Sequence, residues 1–206
     1  LLNGLTLGAL YALVTLGLVL TFSVINLVNF AHGDLFMVAG YLSFLLLNTS
    51  LQLPFVIVIL LVMVLTAGFA GLLELVAIDR IIDKSWRTHA ITTIGISIIL
   101  QNIALILFTS DPRQTTVASA KQIITIGDIR ISVLRIAILV ISLFVVFGLY
   151  WFVKNTKLGK VMRAVSQNRE MCLVVGINVR QAALLTFVLS GVTTGLAAAL
   201  ITPLFT

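Results

Sequence analysis

The chain has 206 residues, 60% hydrophobic and only 10% charged, with a formal net charge of +6. A soluble domain of this size carries about 25% charged residues, so these proportions exclude a water-covered globule and point to an all-α, polytopic membrane protein. A single cysteine, Cys172, excludes an internal disulfide framework, and two histidines leave little room for a metal site.

Six hydrophobic segments follow one another, at about 2–22, 35–47, 53–78, 91–109, 134–153 and 182–201. A helix needs roughly 20 apolar residues to cross a bilayer core. The second segment is short, as expected of a tilted or broken helix. The third covers roughly 37 Å at the helical rise, so it tilts or protrudes. Together they read as one transmembrane domain over 1–206. The absence of Met at residue 1 and the ending on Pro203-Leu204-Phe205-Thr206, straight after an apolar run, suggest a piece of a longer chain.

In the first span, Tyr11 and Thr15 lie one turn apart, and Gly4 and Gly8 form a small-xxx-small pair that permits close helix approach. Residues 26–34 (NLVNFAHGD) are the densest polar interruption. Asp34 charged at the bilayer centre would cost about 2.5–3.5 kcal/mol. Two readings are open. One is a broken helix whose polar groups, Asn29, His32 and Asp34, serve a substrate path. The other is an interfacial loop with Asp34 as an ordinary helix cap, and physics alone prefers it.

Glu74 lies about one turn from the end of the third segment, where it is expected to snorkel or to pair with Arg80 or Lys84 as a structural residue. In the fourth, Thr93, Ser97 and Gln101 recur every four residues and form one polar stripe, with Asn102 beside it. Such a stripe either lines a hydrophilic path or makes interhelical hydrogen bonds. The connection 111–133 carries an alternating Ile/polar run around Gly127-Asp128, the pattern of a small β-hairpin. In the last segment, Thr186, Ser190, Thr193 and Thr194 repeat at helical spacing, and Gly191 and Gly195 form a second small-xxx-small pair. Hydroxyls of this kind often bond to their own backbone.

Orientation follows from the loops. Residues 79–90 and 154–180 together hold nine Lys/Arg, and the loops on the opposite side hold four. The basic loops are therefore cytoplasmic. Parity puts the start of the first helix outside if every segment crosses; a re-entrant second segment would reverse that.

Residues 154–180 begin with a basic stretch over 156–165 that has Val161, Met162 and Val165 at helical spacing. A short helix is expected over 167–175, with Met171, Leu173 and Val174 on a second apolar face and Gly176 as its C-terminal stop. No zinc-protease, nucleophile-elbow or phosphate-loop motif occurs; Gly159-Lys160 is followed by Val161 and lacks the phosphate-loop context.

Three blocks, NFAHGDLFMVAGY (29–41), ITTIGISIILQN (91–102) and NTKLGKVMRAVSQNREMCLVVGINV (155–179), resemble ABC importer permeases for branched-chain amino acids of the high-affinity Liv type. The resemblance runs along nearly the whole chain. It implies a non-enzymatic subunit of a bacterial inner membrane importer, assembled with a second permease, two ATPase subunits and a periplasmic solute-binding protein. It implies no cofactor in this chain, ATP being bound by the partner. It assigns Arg163, Ala164, Arg169, Glu170, Gly176 and Ile177 to the loop that couples to the ATPase. This chain has Met171-Cys172 where the family has small alanines, and members of the family continue with further spans. Related permeases carry urea or short amides, and a passive channel for a small polar solute is the competing class, though a channel needs no coupling loop.

Overall fold

The computed structural model describes residues 2–26, 28–49, 53–82, 84–108, 123–126 and 129–204. Helices α1 (Leu2–Ile25), α2 (His32–Leu47), α3 (Phe55–Leu73), α4 (Trp86–Phe108), α5 (Val133–Asn155), α6 (Lys157–Gln167), α7 (Arg169–Val174) and α8 (Val179–Ile201) carry the fold. Helices suit an apolar medium because each satisfies its own backbone. Strands β1 (Ile123–Ile126) and β2 (Ile129–Ser132) pair antiparallel, Ile126 opposite Ile129, so the expected hairpin forms. Its Gly127-Asp128 turn lies outside the described residues.

Among the described residues, five helices are long and apolar enough to cross a membrane. The third continues beyond Leu73 through a π-helical stretch, Glu74–Ile78, and a 3-10 turn, Asp79–Ile81, giving a 27-residue apolar span. The second segment, α2, has only 16 residues, about 24 Å at the helical rise.

Helix α8 is the hub. It packs against α1, α2 and α3, and 67% of its apolar window is buried, against 11% for α5. Its small residues make this possible. A methyl group on Gly191 would sit 2.7 Å from the Ala67 Cα and the Thr66 carbonyl, so α3 and α8 touch backbone to backbone. A Cβ on Gly17 of α1 would sit 2.7 Å from the Thr193 hydroxyl and 3.1 Å from the Ser190 carbonyl, so α1 also approaches α8 closely there. Gly4 and Gly8 differ from expectation: a Cβ built on either would meet nothing within 4 Å among the described residues, so neither marks a close helix approach.

Two poles are defined by what packs at each end. Leu10, Leu134, Leu196 and Leu200 meet at one pole, with Phe55 and Leu204 against them. At the other, Val24, Met162, Val165, Cys172 and Val179 form one cluster, and Ile25, Ile78, Ile82, Ala183 and Phe187 another. The second pole holds both basic loops, the end that the charge rule expects in the cytoplasm, and is named the cytoplasmic pole on that expectation.

The cytoplasmic pole is capped by side chains. Thr156 Oγ1 accepts from the Gly159 amide at 3.0 Å, Asn168 Oδ1 from Met171 at 2.9 Å, and Asn178 Oδ1 from Gln181 at 3.1 Å. Asn168 splits what the sequence suggested was a helix over 167–175: Gln167 ends α6, and Arg169 begins α7.

Candidate functional site: a broken helix in the bundle core

The polar residues of 26–34 do not form an interfacial loop. Asn26 turns the chain with a left-handed φ of 60°, a conformation asparagine tolerates. The chain then climbs back into the bundle before α2 begins. The level of that start is fixed by His32, whose Nε2 lies 3.0 Å from the Val14 carbonyl, halfway along α1. A carbonyl only accepts, so Nε2 donates. The other ring nitrogen lies 3.3 Å from Ser190 Oγ, and Thr194 Oγ1 is 3.5 Å from Nε2, both midway along α8. The 16-residue α2 therefore starts at the middle of the bundle rather than at the end of α1. The second segment is thus a short helix that starts inside the bundle, the broken form among the two the sequence allowed.

Irregular backbone at membrane depth must be satisfied by protein. Asn29 does this: its Oδ1 accepts from the Ala31 amide at 3.1 Å and its carbonyl from the His32 amide at 3.1 Å. Asn29 and His32 are buried, as are Ser190 and Thr194.

Asp34 corrects the capping expectation. The residue before α2 is Ala31, with no side-chain cap. Asp34 is 7% exposed, and its Oδ1 accepts a 2.9 Å hydrogen bond from Gln101 Nε2 of α4. Gln101 also donates to Ser97 Oγ at 3.1 Å. The stripe thus joins α4 to the start of α2. Its members differ in burial: Thr93 is buried and bonds to its own helix through the His89 and Ala90 carbonyls, Ser97 is half-buried, and Gln101 keeps an exposed flank. Asn102 stands apart, exposed and bonded back to the Ile98 carbonyl.

Other polar residues fall elsewhere. Thr15 bonds to the Tyr11 carbonyl on an exposed face of α1. Thr186 and Thr193 are buried but bond to α8's own carbonyls.

Two residues carry more than the sequence suggested. Glu74 neither snorkels nor pairs with Arg80 or Lys84. It is fully buried, and neither carboxyl oxygen has a hydrogen-bond partner among the described residues. Arg180 goes to Asp79 instead, with Nε 3.2 Å from Oδ1 but at an angle that makes it an ion contact rather than a formed hydrogen bond. Arg180 is 62% exposed, so the pair contributes at most about 1 kcal/mol. His89, which reads as part of a loop, lies in the first turn of α4 and is buried. Its Nδ1 donates to the Ser85 carbonyl at 3.1 Å, and its Nε2 has no partner. The signal for it was available, because 89, 93, 97 and 101 continue one four-residue repeat.

At the cytoplasmic pole, Gly176 has φ +83°. Its amide donates to the Leu173 carbonyl at 3.2 Å, and the Ile177 amide to the Cys172 carbonyl at 2.8 Å. This is the double-bonded Schellman ending that a glycine at this position supports. Ile177 packs with Cys172 beneath it. The turn leaves Met171, Leu173, Val174 and Val175 exposed as an apolar patch. Arg163 bonds to the Lys154 carbonyl at 3.1 Å, and Arg169 reaches across to the Ile82 carbonyl at 3.0 Å, tying the two basic loops together. Ala164 and Ile177 are half-buried, and Glu170 is exposed in the first turn of α7.

The helical bundle with a broken core helix does not by itself name a function, and the comparisons with known proteins supply the family. The family described as "Branched-chain amino acid transport system / permease component" matches residues 1–206.

The chain belongs to this family.

It is 28% identical to the high-affinity branched-chain amino acid transport system permease protein BraD of Pseudomonas aeruginosa, over 98% of this chain and 69% of that protein. It is 26% identical to LivH of Escherichia coli, a permease of the same description, over 97% of this chain and 68% of that one. A probable branched-chain amino acid transport permease, LivH of Methanocaldococcus jannaschii, is 29% identical over 93% of this chain and 62% of its own. No solved structure matches. This permease-family chain thus places its longest family-like blocks at two sites: the first two blocks meet through Asp34 and Gln101, and the third builds the cytoplasmic corner.

Proposed function

We propose that this permease is one membrane subunit of an ATP-driven importer for branched-chain amino acids in a bacterial inner membrane. A periplasmic binding protein delivers the solute, a second permease completes the passage, and ATP is hydrolysed on separate subunits that dock on 154–180. The observation that carries the reading is the family match over residues 1–206, joined to the substrate class printed for its relatives.

The residues divide into two roles. Asn29 and His32 have their polar atoms occupied by backbone and by α8, so they hold the break in place. Asp34, Ser97 and Gln101 sit where α2 meets α4, with Gln101 partly exposed. A zwitterionic solute crossing a low-dielectric region needs polar partners, and these three groups supply both an anionic acceptor and an amide. Thr93 and Asn102 flank that path. Arg163, Ala164, Arg169, Glu170, Gly176 and Ile177 form the corner through which ATPase closure reorients the helices, as alternating access requires.

The test is reconstitution in liposomes with the partner permease, the ATPases and the binding protein. Uptake of labelled leucine is expected to require ATP and the binding protein. Leucine flux without ATP would assign the chain to passive channels, and ATP-driven uptake of urea but not leucine would reassign the substrate.

A further inference from the structure

The third span changes its winding as it nears the cytoplasmic corner. Over Glu74–Ile78 it is π-helical, and the Asp79 amide donates to the Glu74 carbonyl, five residues back. In an α-helix, residues five apart point about 140° away from each other. The wider π turn closes on the fifth residue instead, so Asp79 stacks over Glu74 and two carboxyl groups share one side of the helix. Rewinding this stretch to an α-helix would carry Asp79 away from that side.

Helix α8 runs along it. Ala183 and Phe187 pack with Ile78 and Ile82 at the end of the span. Further in, a Cβ on Gly71 would meet Val188 at 3.1 Å and Leu184 at 3.6 Å. Glu74 lies between these two levels, and the π stretch itself packs against α8. The charges that act on Glu74 are those of Asp79 and Arg180.

Arg180 is the second residue of α8, just past the Asn178 cap and four residues after the Gly176 turn. Two carboxyl groups are within its compass, and they differ. The Asp79 seat is loose: the contact is misaligned, Asp79 Oδ1 has no formed hydrogen bond among the described residues, and water competes for the exposed guanidinium. The Glu74 seat is dry. Glu74 is 0% exposed, and both its oxygens lack a partner among the described residues. An unpaired carboxylate is costly to bury, and the paired donors of a guanidinium are the group that best satisfies it.

We propose that Glu74 is a positioning residue of the transport cycle, the second seat of Arg180: when the corner moves, the guanidinium leaves Asp79 for Glu74 and draws the start of α8 along α3. The inference rests on the ATP-driven reading above, which supplies the movement of the corner. Arg180 follows the Gly176 turn so closely that a displacement of that turn reaches it first. Helix α8 also carries Ser190 and Thr194 against His32, so a shift of α8 is felt at the broken helix. The exchange links the cytoplasmic corner to the core.

The experiment uses the complete transporter with its partner subunits. Melting temperature is measured without nucleotide and with ATP trapped by orthovanadate, and leucine uptake is measured in liposomes. Without nucleotide, Glu74→Gln is expected to melt with the parent, because its carboxyl has no partner to lose, and this reports an intact fold. With ATP trapped, Glu74→Gln and Arg180→Gln are expected to melt below the parent, Asp79→Asn to melt with it, and the double variant Glu74→Gln/Arg180→Gln to melt no lower than the singles, as two members of one pair do. Uptake is expected to fall roughly tenfold in each of Glu74→Gln and Arg180→Gln and no further in the double variant. A melting shift in Glu74→Gln that is the same in both states, or losses that add in the double variant, overturns the proposal. Uptake by the parent that needs no ATP is a separate outcome: it removes the ATP-driven reading itself, and the exchange with it.

Discussion

The Asp34–Gln101 hydrogen bond joins two residues 67 positions apart in a medium that offers no substitute partner. Removing the donor in Gln101→Leu leaves a buried carboxyl short of a bond, which costs about 1–3 kcal/mol or more for a charged group. Asp34→Asn keeps an acceptor oxygen for the same amide. We therefore expect Gln101→Leu to lower both the melting temperature and leucine uptake, and Asp34→Asn to lower uptake with little change in melting; equal melting losses in both would reduce the pair to a structural tie. Glu74 poses the opposite case. Its carboxyl is buried without a partner inside a π-helical turn, a feature frequent at functional sites. Replacing an unsatisfied buried polar group by an apolar one of similar size is close to neutral or stabilising. Glu74→Leu is expected to melt no lower than the parent while uptake falls. An unaltered uptake would show that the carboxyl is a relic of packing.

Among the elements, the cytoplasmic corner depends on backbone conformation more than on contacts. Nothing lies within 4 Å of a Cβ built on Gly176, yet its φ is +83°. A substitution there meets no clash and is penalised only by the left-handed region, by roughly 1–2 kcal/mol for an ordinary residue and less for asparagine. Gly176→Val is expected to insert and assemble but to lose uptake and binding-protein stimulation of ATP hydrolysis, with Gly176→Asn retaining most of both. Near-normal uptake in Gly176→Val would count against the coupling role. Gly191 works by the reverse mechanism. It has helical backbone, but a side chain would collide with the Ala67 Cα and Thr66 carbonyl. Gly191→Ala should destabilise the bundle by about 1–3 kcal/mol through overpacking, read as a drop in melting temperature. The glycine that ends α7 was legible because a stop glycine after an apolar helix has a known geometry. The difference between Gly191 and Gly4 was not, because both pairs have the same spacing and only packing decides which of them meets a neighbouring helix.

At the scale of the whole molecule, orientation is the property that every other assignment uses. Cys172 is the single thiol, but it is buried with Val24, Met162 and Val179, so its silence toward a reagent carries no information about sidedness. Met171 is 58% exposed on the same turn. In a Cys172→Ser background, Met171→Cys is expected to react with an impermeant maleimide in inside-out vesicles and not in intact cells; labelling from outside would invert the topology. The sequence by itself determined the membrane class, the apolar segments and the glycine that ends α7, because hydrophobic run length and terminal glycine are local properties of the chain. Only the tertiary structure decided that 26–34 is a break in the core, that Asp34 reaches Gln101 and that Glu74 is sealed in without a partner. Each of these depends on the depth at which two distant segments meet, and a polar run reads the same in sequence at the membrane surface as at its middle.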